Sequence, residues 1–377
     1  IKSVALHGLG GVGKTQVALA FAYSKIDLLD AIFWVAAETD VVLKQSFSRI
    51  AVNLELPNAH PQNHEENTLL VLSWLNKTKA KWLLIFDNVE DVRIFEDCWP
   101  VAKRGSVLVT TRHPTVAVQP IDIGIEIEPF STEDGAGILE HLLQAHNDSE
   151  AERQARLDLS LRLNGHALAI SQMAALINAK HMSVASFVPY YDKYTRKIHR
   201  ERKAGWKYVG YNHALDTVWL LSFGALSQQA RTCLSIFALL DPDRIPDKLF
   251  KPLDQADLPA ILDCLRDEYD RLEVLEELTS HGLVKHDVKT EMFSLHRLVQ
   301  AEFLYQLSEN ERQAGFDAAT RLLQLVFPSR AKGQVLNKHW PVAQLYIQHV
   351  LALMNCYRKS QNEREKLQTT SSFCDLL

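Results

Sequence analysis

The sequence predicts an α/β fold at its N-terminal end, a doubly wound parallel sheet, followed by a helical bundle, a winged-helix domain and a helical tail. Three observations carry this. Short apolar runs alternate with helix-spaced segments over residues 1–129, the pattern of repeated βα units. The first run passes through a glycine-rich turn straight into a helix. From Ser131 onward the strand signal fades and helical spacing takes over, apart from one hairpin after residue 282.

Taken in order, Ser3-Val4-Ala5-Leu6-His7 reads as a buried strand, and Gln16 to Ala22 as a helix of good helix formers. Between them Gly8-Leu9-Gly10-Gly11-Val12-Gly13-Lys14-Thr15 fits G-x-x-x-x-G-K-[ST] at every fixed position. Strand, loop and helix therefore come in the order that phosphate binding requires. Backbone N–H groups turn inward around the phosphates, and the helix N-terminus adds its positive dipole end. Gly8, Gly10, Gly11, Val12, Gly13, Lys14, Thr15 and Gln16 are accordingly the expected nucleotide-binding residues. Lys14 is expected to reach the β- and γ-phosphates, and Thr15 to hold Mg²⁺.

Residues 31–36 form a second apolar strand, residues 42–54 a helix, 57–67 a polar loop and 68–75 a further helix. Trp82-Leu83-Leu84-Ile85-Phe86-Asp87 is an apolar strand ending in a carboxylate. Ligands of parallel sheets sit beyond the carboxyl ends of the strands, so Asp87 is expected beside the phosphate loop as a second Mg²⁺ ligand, direct or through water. A strand-ending Asp-Asn turn would look the same. Ser106-Val107-Leu108-Val109 leads into Thr110-Thr111-Arg112, where Arg112 either senses the γ-phosphate or is a solvated cation at a strand end. Residues 123–127 read as an edge strand.

The bulk properties exclude several classes. Lys+Arg 41 against Asp+Glu 46 leaves a net charge of −5, so the chain has no global basic footprint for nucleic acid. The five cysteines are scattered without a C-x-x-C pair, which argues against a disulfide scaffold or zinc site and for a reducing, cytoplasmic compartment. No apolar run approaches the ~18 residues of a membrane helix. Residue 1 is Ile and the first strand begins at once, so the chain reads as an excised piece of a longer protein.

Several of these motifs, in this order, resemble one family. Gly8 to Thr15, then Leu83-Leu84-Ile85-Phe86-Asp87-Asn88, then Gly105 to Arg112, are similar to the successive nucleotide motifs of the NB-ARC ATPases, a branch of the STAND class of P-loop ATPases. These are the signalling switches of plant resistance proteins, animal apoptosome scaffolds and fungal NLR-like proteins. Leu163-Asn164-Gly165-His166-Ala167-Leu168-Ala169 resembles the family's G-L-P-L-A motif, with Ala167 where the adenine-packing proline is expected and Leu168 as an apolar wall of the adenine site. Leu295-His296-Arg297 resembles the M-H-D motif, whose histidine contacts the β-phosphate of ADP. His296 matches, Arg297 replaces the aspartate, and the following Leu-Val-Gln looks like the fungal branch. Asn88 stands where many relatives carry a second acid, and an amide cannot take up a proton at neutral pH. Lys14, Asp87 and Asn88 are thus the positions on which any hydrolysis turns, and the expected enzyme activity is at most slow ATP hydrolysis.

The second half is organised by helices over about 132–146, 149–163 and 167–179, then a compact region over 214–307 with a hairpin at 283–294, read as a winged helix. Basic residues from Lys193 to Lys207 interleave with aromatics and read mainly as a solvated helix end and linker. Residues 309–327 and 340–356 are amphipathic helices, the second resembling the entry to the tetratricopeptide arrays of fungal relatives, and 358–377 is a polar tail expected to fray. The expected domains are 1–130 (nucleotide binding), 131–205 (helical bundle), 206–307 (winged helix) and 308–377 (helical tail).

The resemblance implies an ATP/ADP-binding, Mg²⁺-dependent switch. The ADP-bound state is closed and the ATP-bound state open and self-associating, in an immunity, incompatibility or cell-death type of response. Protein partners are expected through an N-terminal effector and C-terminal repeats outside this sequence. Neither nucleic acid nor membrane is expected as a partner. The alternative is a STAND-type regulator that binds DNA through its winged helix. Against it, the recognition-helix candidate at 266–280 carries Asp267, Glu268, Asp270, Glu273, Glu276 and Glu277, which repel phosphate.

Overall fold

The computed structural model describes residues 1–102, 104–117, 120–144, 149–201, 213–251, 259–328, 340–361 and 366–376. Among them the chain divides into two compact units. The first is Ile1–Phe130 with His166–Leu168, and the second is Ser131–Gly165 with Ala169–Leu377.

The first unit is built on five parallel strands: β1 (Lys2–His7), β2 (Ala31–Ala36), β3 (Trp82–Val89), β4 (Ser106–Thr111) and β5 (Ile123–Glu126), in the order β2-β3-β4-β1-β5. Its helices are α1 (Lys14–Ser24), α2 (Asp40–Asn53) and α3 (His64–Lys77). The strands are apolar on both faces, as a sheet covered on two sides demands. Alternate residues go to opposite cores. Ala5, Leu84, Phe86, Val107 and Val109 pack with α2 and α3 residues such as Phe47 and Val71. Leu6, Leu83, Ile85 and Leu108 pack with Ala18 and Ala22 of α1. The doubly wound sheet of the sequence reading is therefore the observed one, with β5 at the exposed edge.

One local expectation is corrected. Residues 64–67 belong to α3 rather than to a loop. Glu65 and Glu66 are acidic residues in a first helical turn, where the dipole favours them. The Asn67 side chain is fully buried and closes the preceding turn by bonding both the N–H and the carbonyl of His60, at 3.2 and 2.7 Å. Polar composition mimicked a loop.

The second unit contains α4 (Thr132–Leu142), α5 (Glu150–Arg162), most of α6 (Ala167–Ala179), α7 (Val184–Glu201), α8 (His213–Gly224) and α9 (Gln228–Leu239). It continues with β6 (Ile245–Pro246), α10 (Glu268–Ser280), β7 (Val284–Asp287), β8 (Met292–Leu295), α11 (Arg297–Gln306), α12 (Glu309–Val326), α13 (Trp340–Ser360) and α14 (Ser371–Leu376). Helix starts carry the expected caps. Ser227, Ser131 and Ser149 each accept from the backbone N–H three residues on, and Ser308 with Glu311 forms a reciprocal capping box. The hairpin β7–β8 gains a third antiparallel strand from the two-residue β6. Its Phe293 packs edge-on to Phe237 and Phe250, which are stacked on each other.

The tail expected to fray is instead partly structured. α13 runs to Ser360, and α14 returns to α12, with Phe373 buried 5.0 Å from the Phe316 ring and Gln368 N–H bonded to Gln313. The basic, aromatic segment read as a linker enters α7 at its start, and its residues 202–212 lie outside the described residues.

Candidate nucleotide-binding site

The site lies where β1 and β3 end on either side of β4. β1 stops at His7 and the chain turns through Gly8–Gly13 into α1. Two of these glycines are required by space. A Cβ on Gly8 would lie 2.5 Å from the Ile127 carbonyl oxygen, and one on Gly11 would lie 2.9 Å from the His166 ring and 3.1 Å from Leu168. Gly11 also has φ +75, a region L side chains rarely adopt. The Val12 side chain is buried, while Gln16 is exposed in the first turn of α1.

Lys14 is 8 % exposed, and its Nζ donates to the carbonyls of Gly8 at 2.9 Å and Leu9 at 2.7 Å. Burial lowers its pKa to about 8. The Arg112 charge adds to that shift and the Asp87 carboxylate opposes it. An ammonium held this way is short of negative charge, which is what a phosphate supplies.

Asp87 is placed by an irregularity in β3. The pairing with β4 runs in register to Phe86–Val109 and resumes shifted at Val89–Thr111. Asn88 takes up the difference with φ +62, a left-handed conformation that asparagine tolerates. The turned-out Asp87 Oδ1 accepts from the Thr15 hydroxyl at 2.9 Å and from the Thr110 hydroxyl at 2.6 Å. Thr110 Oγ1 in turn accepts the Asn88 N–H at 2.8 Å. Thr15 and Asp87 thus offer adjacent hard oxygen donors of the kind Mg²⁺ takes, and these two residues would hold the cation. Among the described residues no group of three or more His, Cys, Asp or Glu forms a metal cage.

Arg112 follows β4. It pairs loosely with Glu90 at 3.8 Å and is near enough to depress the Lys14 pKa. Leu168 packs on Gly11 and its N–H donates to the Gly11 carbonyl at 3.1 Å. His296 belongs to the second unit. It caps α11, its Nδ1 accepting the Leu298 N–H at 3.2 Å, and the neighbouring Arg297 is ion-paired with Asp243. Lys14, Thr15, Asp87, Asn88, Arg112 and Leu168 are thus gathered within the first unit around the loop.

Two residues of the site escaped the sequence reading. Thr110 carries the hydrogen-bond link between Asp87 and Asn88, and its only signal was its place at the end of a strand. His166 is 5 % exposed, with Nε2 2.9 Å from the Gly10 carbonyl oxygen. Its signal was an imidazole directly before the apolar run Ala167-Leu168-Ala169.

Comparison with known proteins agrees with this geometry. The NB-ARC domain model matches residues 1–149, and a domain of unknown function, DUF7779, matches residues 221–312. A nucleotide-binding leucine-rich repeat (NLR)-like protein of Hyaloscypha variabilis is 24% identical over 326 residues, covering 79% of this chain and 32% of its own length. Among solved structures, a signal transduction ATPase with numerous domains (STAND) that carries a tetratricopeptide repeat sensor, from Pyrococcus horikoshii, aligns with TM-score 0.50 and 15% identity. That alignment covers 95% of this chain and 50% of the other. The present chain therefore spans about a third of the fungal relative and half of the archaeal one. With the complete phosphate-loop motif, the Thr15–Asp87 pair and the sheet order all in place, residues 1–149 match the NB-ARC domain, in a chain similar to an NLR-like protein and sharing the fold of a STAND ATPase.

Proposed function

We propose that this chain is the nucleotide switch of a signalling receptor, closed with ADP and opened by exchange for ATP, and that the open form self-associates. The observation that carries the reading is the Thr15 hydroxyl 2.9 Å from the Asp87 carboxylate, beside a buried Lys14 and a glycine loop with no space for a Cβ at Gly8 or Gly11. This arrangement suits a Mg²⁺-nucleotide. When bound, the cation neutralises phosphate charge. The residues of the chain bind and orient: Lys14 exchanges its two loop carbonyls for phosphate oxygens, and Asp87, held by Thr110, keeps one orientation. A ligand shifts a two-state protein only by its difference in affinity between the states. We assign the preference for ADP to His296, on the strength of its match to the family motif. The response served is proposed to be of the immunity or cell-death type, on the strength of the resemblance of the motifs to the family.

The DNA-binding alternative finds no support in α10. The helix exposes Glu268, Glu273 and Glu276 beside Tyr269 and Leu272, and Glu277 is committed to Ser227. The test is the nucleotide carried by the purified chain, released by denaturation and separated by chromatography. The expected result is ADP near one per chain, with reduced retention in His296→Ala. A chain that is empty and does not take up added ATP with Mg²⁺ refutes the switch.

A further inference from the structure

Three residues distant in sequence belong with the first unit: His166, Ala167 and Leu168. Two of them grip consecutive peptide groups of the phosphate loop. His166 Nε2 lies 2.9 Å from the Gly10 carbonyl oxygen, and a carbonyl only accepts, so the ring proton sits on Nε2 and is donated. The Leu168 N–H donates to the Gly11 carbonyl at 3.1 Å. In a trans peptide the C=O and the N–H point in opposite directions. Drawing these two carbonyls toward residues 166–168 therefore turns the N–H groups of Gly11 and Val12 the other way. The Val12 N–H makes only a long, 3.4 Å bond to the Leu9 carbonyl, at the limit of a hydrogen bond and easily exchanged. Contact is close enough that a Cβ on Gly11 would meet both His166 and Leu168. The imidazole is buried, and burial together with the Lys14 charge favours its neutral form.

We propose that His166 is a positioning residue for phosphate binding: its Nε2–H, together with the Leu168 N–H, holds the Gly10 and Gly11 carbonyls away from the ligand, so that the loop presents N–H groups to the β-phosphate of a nucleoside diphosphate. Without that donor the Gly10–Gly11 peptide is free to rotate, and a carbonyl facing the phosphate repels it. The assignment rests on the nucleotide-binding reading above and adds to it a residue that acts through the loop rather than on the ligand.

The test is titration of the whole chain with a fluorescent ADP analogue and Mg²⁺, in wild type, His166→Ala, His166→Leu and His166→Gln, with thermal midpoints recorded alongside. Loss of one hydrogen bond to a positioned carbonyl is expected to weaken binding about tenfold in His166→Ala. His166→Leu, which fills the space without a donor, is expected to be equally weak. His166→Gln, which restores an N–H donor, is expected to return to within about threefold of wild type. Equal affinity of wild type and His166→Ala overturns the proposal, and so does retention by His166→Leu or failure of His166→Gln to recover. A wild-type chain that binds no nucleotide removes the nucleotide reading and this inference together. Normal wild-type binding with indifferent variants removes this inference alone.

Discussion

Replacing Thr110 by Val removes one hydroxyl and changes little else in shape. That hydroxyl donates to Asp87 Oδ1 at 2.6 Å and accepts the Asn88 N–H at 2.8 Å, and the residue is 1 % exposed. The first bond is to a charged group, worth about 1.5–3 kcal/mol net. The second satisfies a backbone donor at a left-handed residue, and leaving it unpaired costs about 1–3 kcal/mol. The added methyl returns about 0.8 kcal/mol. Because the bonds share one oxygen, their losses do not simply add. We expect a net loss of about 2–3 kcal/mol in the first unit, read as a shift in urea midpoint at unchanged slope. Hydrogen–deuterium exchange over residues 83–90 should show the Asn88 amide losing protection. Nucleotide affinity should fall more with Mg²⁺ present than without it, because Asp87 is no longer held beside Thr15. A midpoint shift below about 0.5 kcal/mol with unchanged Asn88 protection refutes the claim that Thr110 organises the end of β3.

Three further outcomes follow from the same geometry. Lys14 titrates near pH 8 in the free protein, and bound phosphate raises its pKa, so binding above that pH must take up a proton. ADP affinity should therefore fall by about tenfold per pH unit above roughly pH 8, measured by isothermal titration, and this dependence should vanish in Lys14→Met. His349 is buried and its pKa is pushed down to about 4 by desolvation, although Nε2 is hydrogen-bonded to the Arg244 carbonyl. The unfolded chain then binds the extra proton first. Its contribution is complete above roughly pH 6.5 and is lost as pH falls toward 4, up to about 3 kcal/mol in the second unit. Melts at pH 7 and pH 5 should show the loss, and His349→Gln should flatten it. Finally, Asn88→Asp restores a proton acceptor beside Asp87 and should raise a slow ATP turnover, measured as phosphate release. Fast turnover in wild type, unchanged by the substitution, would contradict the slow-switch mechanism.

Much of the first unit was legible because its signals are local. The apolar runs of β1, β3 and β4 need no partner to be recognised, and the phosphate loop is one contiguous motif. Helices α4, α5 and α6 likewise fall close to the ranges their spacing predicts. What misled was polarity that a neighbour satisfies. Asn67 looked like loop until the His60 backbone closed around it, and the polar tail looked frayed until Phe373 found Phe316.

The sequence by itself determined which chemistry is available: a glycine loop that can wrap phosphate, a lysine and a threonine at the head of a helix, and a carboxylate at the end of a strand. Each follows from covalent neighbours and the periodicity of strand and helix. Only the tertiary structure decided which of these groups meet. The strand order sets β4 between β1 and β3, and so puts Thr110 where it can hold Asp87 toward Thr15, 72 residues away. The same long-range packing carries His166 across 156 residues to the Gly10 carbonyl. Nothing in a linear pattern encodes a hydrogen bond of that span, because its partners are chosen by how the sheet is threaded rather than by the residues beside them.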